Sequence, residues 1–118
     1  MNYTEITSRN NEKIKSVAKL VSSSKERKST SLFVLEGARL CFDAAKSGYV
    51  IKEAYFTQDA VMKFSDYTDI IADCAKNVYF ITDEVSEKIS DTVNSQGIFC
   101  VVEMKRQTAF EIESTKKY

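Results

Sequence analysis

LFVLEGARLCFDAAKSGYVIKEAYFT, residues 32–57, decides the fold. Leu32-Phe33-Val34-Leu35 is an unbroken apolar run, the pattern of a strand buried on both faces. Glu36-Gly37 ends it, and Ala38 to Ser47 follows as a helix with Leu40, Cys41, Ala44 and Ala45 turned inward. Gly48 stands where a helix takes a left-handed glycine just past its end. Val50 to Thr57 then reads as a second strand, rich in β-branched and aromatic residues. Strand, helix and strand in so short a span are the repeating unit of an α/β sheet.

The same alternation continues on the carboxyl side. Asp59 to Phe64 is a short helical piece, and Asp66 to Lys76 a longer helix with Ile70, Ile71 and Cys74 inward. Val78-Tyr79-Phe80-Ile81 is a third strand. Thr82 or Asp83 caps a helix to about Ile89, with Val85 and Ile89 one turn apart. The turn-like Asn94-Ser95-Gln96-Gly97 leads into a fourth strand, Ile98 to Met104.

On the amino side, after a polar lead-in, Ile14, Val17, Ala18 and Val21 form one stripe of a helix from about Asn11 to Ser23, flanked by Leu20. Ser8 or Asn10 is its expected N-cap, and Glu12 falls in its first turn. Lys13, Lys15 and Lys19 occupy the opposite face. Residues 22–31, SSSKERKSTS, contain no apolar side chain and read as a solvated loop or a frayed helical end. The order is one helix, then β-α-β-α-β-α-β. That order predicts a three-layer α/β/α sandwich around a mostly parallel four-stranded sheet.

Composition narrows the function. A chain of 118 residues is one domain, and 43% apolar residues suffice for a core. No apolar run is long enough for a membrane span, and no apolar stretch behind a basic start resembles a signal peptide. The three cysteines lack a CxxC pair and suit reduced thiols in the cytoplasm. With no histidine, the commonest general base and zinc ligand are missing. Neither GxGxxG nor GxxxxGK[ST] occurs, and nothing singles out a nucleophile with its base. No catalytic residue, metal site or cofactor of its own is expected here.

Charge is polarised although the net charge is zero. Residues 1–30 hold seven basic side chains against three glutamates, +4; residues 31–104 hold six against twelve, −6. Residues 105–118 carry +2. A basic amino-terminal arm on a neutral protein suits a polyanionic partner, or is a plain solvated face.

Three local features bear on that choice. Ser8-Arg9-Asn10 with Ile14-Lys15 is a polar, basic helix entry; Arg offers a planar fork to phosphate, and Asn reaches base edges. Phe33 to Arg39 carries a strand through Glu36-Gly37 into a helix, the place where open sheets bind ligands. Arg39 there opposes the helix dipole, a cost that pairing with Glu36 or Asp43 would relieve. Ser90 to Gly97 gathers hydroxyl and amide side chains that suit either a looped RNA or a turn.

Together these places resemble a known family. Arg9-Asn10, Lys15, Lys25 with Arg27, Phe33-x-x-Glu36-Gly37-x-Arg39-Leu40, Gly48 and Thr92-x-x-x-Gln96-Gly97-Ile98 are similar to the N-terminal substrate-binding domain of SpoU/TrmH-type (SPOUT class) RNA ribose 2′-O-methyltransferases. The likeness covers about residues 6–104. It departs where the family often has proline: Asn11 and Ser95 stand there, and the chain contains no proline.

The resemblance implies the sandwich fold of kink-turn-binding ribosomal proteins. It implies residues 1–104 as an RNA substrate-binding domain, made of the basic helix 11–23 and a sandwich over 31–104. Residues 105–118 would be a linker toward a missing catalytic domain. Structured ribosomal or transfer RNA is the implied partner, with Arg9, Asn10, Lys15, Arg27, Glu36, Arg39, Thr92 and Gln96 as contacts. S-adenosylmethionine and the methyl-transfer residues would belong to the parent enzyme, a homodimer, and this fragment would be an inactive monomer. The alternative is a stand-alone structural RNA-binding protein of the ribosome or another ribonucleoprotein.

Overall fold

The computed structural model describes residues 4–104; the expected linker lies outside the described residues. The elements are β1 (Thr4–Ile6), α1 (Glu12–Ser22), α2 (Ser24–Thr30), β2 (Leu32–Glu36), α3 (Ala38–Lys46), β3 (Ile51–Phe56), α4 (Gln58–Lys63), α5 (Ser65–Cys74), β4 (Ala75–Ile81), α6 (Asp83–Ile89) and β5 (Ile98–Glu103). They build one five-stranded sheet in the order β1-β4-β3-β5-β2, with helices on both faces.

Strand alternation divides the core in two. Tyr55, Phe99 and Val101 point to one face, where they meet Ile14, Val17 and Leu20 of α1 and Val85 and Ile89 of α6. Ile51, Ala54, Phe56, Ile98, Cys100 and Val102 point to the other, against Ala38 and Cys41 of α3, Ala60 of α4 and Ile71 and Ala72 of α5. β5 is thus the strand buried on both faces. The run Leu32–Leu35, which suggested that role, is an edge strand with every residue half-buried. Its apolar residues on both faces are explained by α1 and α2 packing on one side and α3 on the other.

Two features differ from the expected sheet. The fifth strand is β1, hidden in the polar lead-in because it is three residues long and buries only Ile6. The second is direction: β1, β4 and β3 are parallel, whereas β5 is antiparallel to both β3 and β2. After α6 the Ser90–Gly97 connection returns to the end of the sheet that β4 left, so β5 starts with Ile98 beside Phe56 and runs back down.

Smaller differences have local causes. Asn11 caps α1, its side chain accepting from Lys13 N; it replaces the expected Ser8 or Asn10. Residues 24–30 are helical without burying anything, because the Ser23 hydroxyl caps Glu26 N and Ser31 ends the helix at φ 58°. Leu40 is 56% exposed, since α3 buries the narrower stripe Ala38, Cys41 and Ala44. Ile70 is half-buried and Cys74 exposed, because α5 turns Thr68, Ile71 and Ala72 inward.

Candidate nucleic-acid interface

The register gathers the connecting loops at one pole. Ile6 pairs with Ile81, Phe80 with Phe56, Phe56 with Ile98, and Phe99 with Glu36. The carboxyl ends of β1, β4, β3 and β2 therefore lie together with the start of β5. Arg9 and Asn10 follow β1, Gly37 and Arg39 follow β2, and Thr92 and Gln96 precede β5. Every one of these side-chain-bearing candidates is exposed except Glu36, which is half-buried. β1 and β2 are the two edge strands, four strand spacings or about 19 Å apart, and Arg9 and Arg39 follow these two strands at opposite ends of the row.

At the β2 corner the candidate residues bind one another. Glu36 Oε2 accepts from the Ser90 hydroxyl at 2.6 Å and the Thr92 hydroxyl at 3.2 Å, while Oε1 accepts from Asp91 N at 3.0 Å. Gln96 Oε1 accepts from Ala38 N at 2.7 Å. That bond satisfies a free N–H at the start of α3, where Gly37 brings no capping side chain. Gly37 N donates to Ile98 O, and Thr57 N donates to Gly97 O, both at 2.9 Å. Glycine is required at both corners. Gly37 has φ +108°, and a Cβ on Gly97 would overlap the Thr57 hydroxyl at φ +75°.

The basic residues form a second region. α1 and α2 carry Lys13, Lys15, Lys19, Lys25, Arg27 and Lys28 against Glu12 and Glu26. On the opposite face α4 and α5 carry four aspartates against Lys63. Three of the cations are paired with carboxylates. Lys15 lies 4.0 Å from Glu12, Lys19 3.8 Å from Glu26, and Lys13 3.1 Å from Glu53. Arg27 Nη1 donates to Leu20 O at 2.6 Å and Val21 O at 3.1 Å, closing the end of α1. Among the described residues Arg9, Lys25 and Lys28 make no ion pair. Arg39 pairs with Asp43 at 3.3 Å, one of the two partners its sequence position allowed.

Beneath α1 lies a polar network that no motif in the sequence marks. Glu53, with only 14% of its side chain exposed, receives Lys13 and, at 2.7 Å, the buried Tyr55 hydroxyl. Its hydrogen bond and charge hold the Lys13 ammonium above its ordinary value. Burial first, then the Glu53 carboxylate, pushes the Tyr55 phenol far up. Tyr79 stacks on Tyr55 at 5.1 Å and takes Lys13 over its ring at 5.3 Å. On the opposite face a hydrogen bond with Cys41, helped by burial, raises the Cys100 thiol. No sequence spacing points to these groups, because they meet only across strands and layers.

The geometry thus joins Glu36, Thr92 and Gln96 into one built corner, with Arg39 beside it. Arg9 and Asn10 stand at the other edge of the same pole. Lys15 and Arg27 belong to the α1–α2 layer.

The MRM3-like substrate binding domain matches residues 11–100 of the sequence. The chain belongs to this family. Comparison with curated protein sequences gives no match. Among solved structures, the substrate-binding domain superposes on an rRNA methyltransferase from Sinorhizobium meliloti with a TM-score of 0.72 and 23% identity, covering 89% of this chain and 38% of that one. An RNA 2′-O ribose methyltransferase matches with a TM-score of 0.73 and 26% identity, over 88% of this chain and 39% of the other. The SpoU methyltransferase AviRb from Streptomyces viridochromogenes, solved with its cofactor AdoMet, matches at 0.65 and 14%, over 80% and 34%. The substrate-binding domain therefore spans about two fifths or less of each of these enzymes.

Proposed function

We propose that this domain recognises structured ribosomal or transfer RNA for an S-adenosylmethionine-dependent ribose 2′-O-methyltransferase. The observation that carries the reading is the gathering of Arg9, Asn10, Glu36, Arg39, Thr92 and Gln96 at one pole of a domain from this family. α1 and α2 add phosphate contacts through Lys15, Lys25, Lys28 and the remaining donors of Arg27. Binding is then partly electrostatic and partly a matter of shape.

The chemistry lies outside this chain. Its described cavities are open clefts with carboxylates in their walls, such as Glu5, Asp59 and Asp83 at the end of β4. S-adenosylmethionine is assigned to a catalytic domain joined to this one. That domain also forms the homodimer, and the present chain alone is a monomer. Its free cysteines suit a cytoplasmic enzyme, and no helix among the described residues is long and apolar enough to cross a membrane.

The test is methyl transfer from labelled S-adenosylmethionine to bulk RNA by the complete reading frame beside this chain. Activity is expected in the complete protein only. RNA binding by this chain should weaken with salt at a log–log slope of roughly −0.7 to −0.9 per phosphate contact. A slope near zero would refute the reading.

A further inference from the structure

We propose that Glu36 is a positioning residue that fixes the Ser90–Gly97 connection as a rigid apex, and that Val93 and Asn94 at its tip read an unpaired nucleotide. This rests on the RNA reading above and assigns contacts that neither motif contains. The Glu36 carboxylate is already filled by three donors, Ser90 and Thr92 hydroxyls and Asp91 N. A charge so placed repels phosphate and serves better as an internal anchor. On the far side of the tip, the Ser95 hydroxyl accepts from Gly97 N at 3.0 Å and Gln96 grips Ala38 N. Between the two anchors stand Val93, 99% exposed, and Asn94, whose side chain has no hydrogen bond among the described residues.

The chemistry of the tip selects the ligand. A lone valine offers far less surface than the roughly 800 Å² per partner of a stable protein interface. It is enough for the face of one base. Asn94 presents both a carbonyl and an amide, the pair needed along a base edge, and bases are accessible in this way only in single-stranded RNA. No cation belongs to the tip, so its contribution should be independent of salt. Holding the connection in place beforehand lowers the ordering cost of binding.

The experiment titrates this chain against fluorescein-labelled RNA hairpins with one stem and loops of A, C, G or U, with the blunt duplex as control. Wild type should prefer at least one hairpin over the duplex. Val93→Ser and Asn94→Ala should each cut hairpin affinity about five- to tenfold and leave duplex affinity, salt slope and Tm unchanged. Glu36→Gln should weaken hairpin binding as much, with the same salt slope, and speed amide exchange across residues 90–97. A role in stability alone would move Tm and both RNAs together. The exposed Val93 and Asn94 variants keep the test valid should Glu36→Gln unfold. Wild-type hairpin affinity in both tip variants would overturn the proposal, including the case in which the tip docks a protein. Absence of any RNA binding by wild type would overturn this proposal and the RNA reading together.

Discussion

The β2–α3–β5 corner and the α1–α2 layer are held in opposite ways. At the corner, backbone and side chains interlock across more than fifty residues of sequence: Glu36 with Ser90, Asp91 and Thr92, and Ala38 with Gln96. In the layer, most polar contacts are local, such as Lys15 with Glu12 and Arg27 with Leu20 and Val21. Long-range bonds fix shape, whereas local ones keep a helix wound and its cations available. The corner is therefore suited to geometric recognition and the layer to charge, and each can be damaged without the other.

The largest expected effect falls on the corner. Gly97→Ala forces a Cβ against the Thr57 side chain at a left-handed backbone angle. It should cost about 3 kcal/mol. In a domain of this size that is a fall in Tm of about 12 °C, read by thermal unfolding. Gly48→Ala is the control, with φ +81° but open space around it, and should cost only about 1 kcal/mol. Equal losses for the two would show that the corner is not tightly interlocked.

Removing charge from the layer comes next. Replacing Lys15, Lys19, Lys25 and Lys28 together by Gln should weaken RNA binding about tenfold or more and flatten the salt slope by roughly 0.7–0.9 for each phosphate left without its cation. Tm should barely change, because the lysine of each of the two pairs they make is exposed. An unaltered slope would move the electrostatic contact away from α1 and α2.

Arg27→Ala separates the two roles of one residue. It removes both bonds to the last carbonyls of α1 and should cost about 1 kcal/mol in urea or thermal unfolding. Arg27→Lys should recover part of the salt slope without recovering the stability, since Lys lacks the planar fork.

The smallest effect is invisible at neutral pH. The Cys100 thiol is raised above its ordinary 9.0, so the folded state favours the protonated form. Its contribution is complete below about pH 9, where the unfolded chain keeps its thiols protonated, and is lost as pH rises beyond that. Tyr55 adds the same loss above its ordinary 10.0, and the raised Lys13 adds its own above 10.5. Tm should be level near neutrality and decline from about pH 9 upward, and Cys100→Ser should remove the first part of the decline.

Much of this was legible in the sequence because periodicity reports burial. α1, α6 and β5 lie within a residue or two of the stretches that Ile14/Val17, Val85/Ile89 and Ile98–Val102 marked. The motif spacings also carried Glu36, Thr92 and Gln96, which meet in space. Their mutual bonds were not legible, since the direction of β5 depends on where the Ser90–Gly97 connection returns to the sheet, and pattern alone does not measure that. The Glu53–Tyr55–Lys13 network was hidden for a similar reason: one strand and one helix supply it from forty residues apart. β1 escaped notice because two of its three residues are exposed.

The reversal of β5 also decides where the polypeptide departs. Met104 donates its N–H to Ser31 O at 2.9 Å, beside the first residue of β2. Six strand residues, about 20 Å, separate that exit from the glycine turns. Met104 therefore stands at the pole opposite the loops, and the length of β5 is the distance that separates the last described residue from Glu36, Thr92 and Gln96.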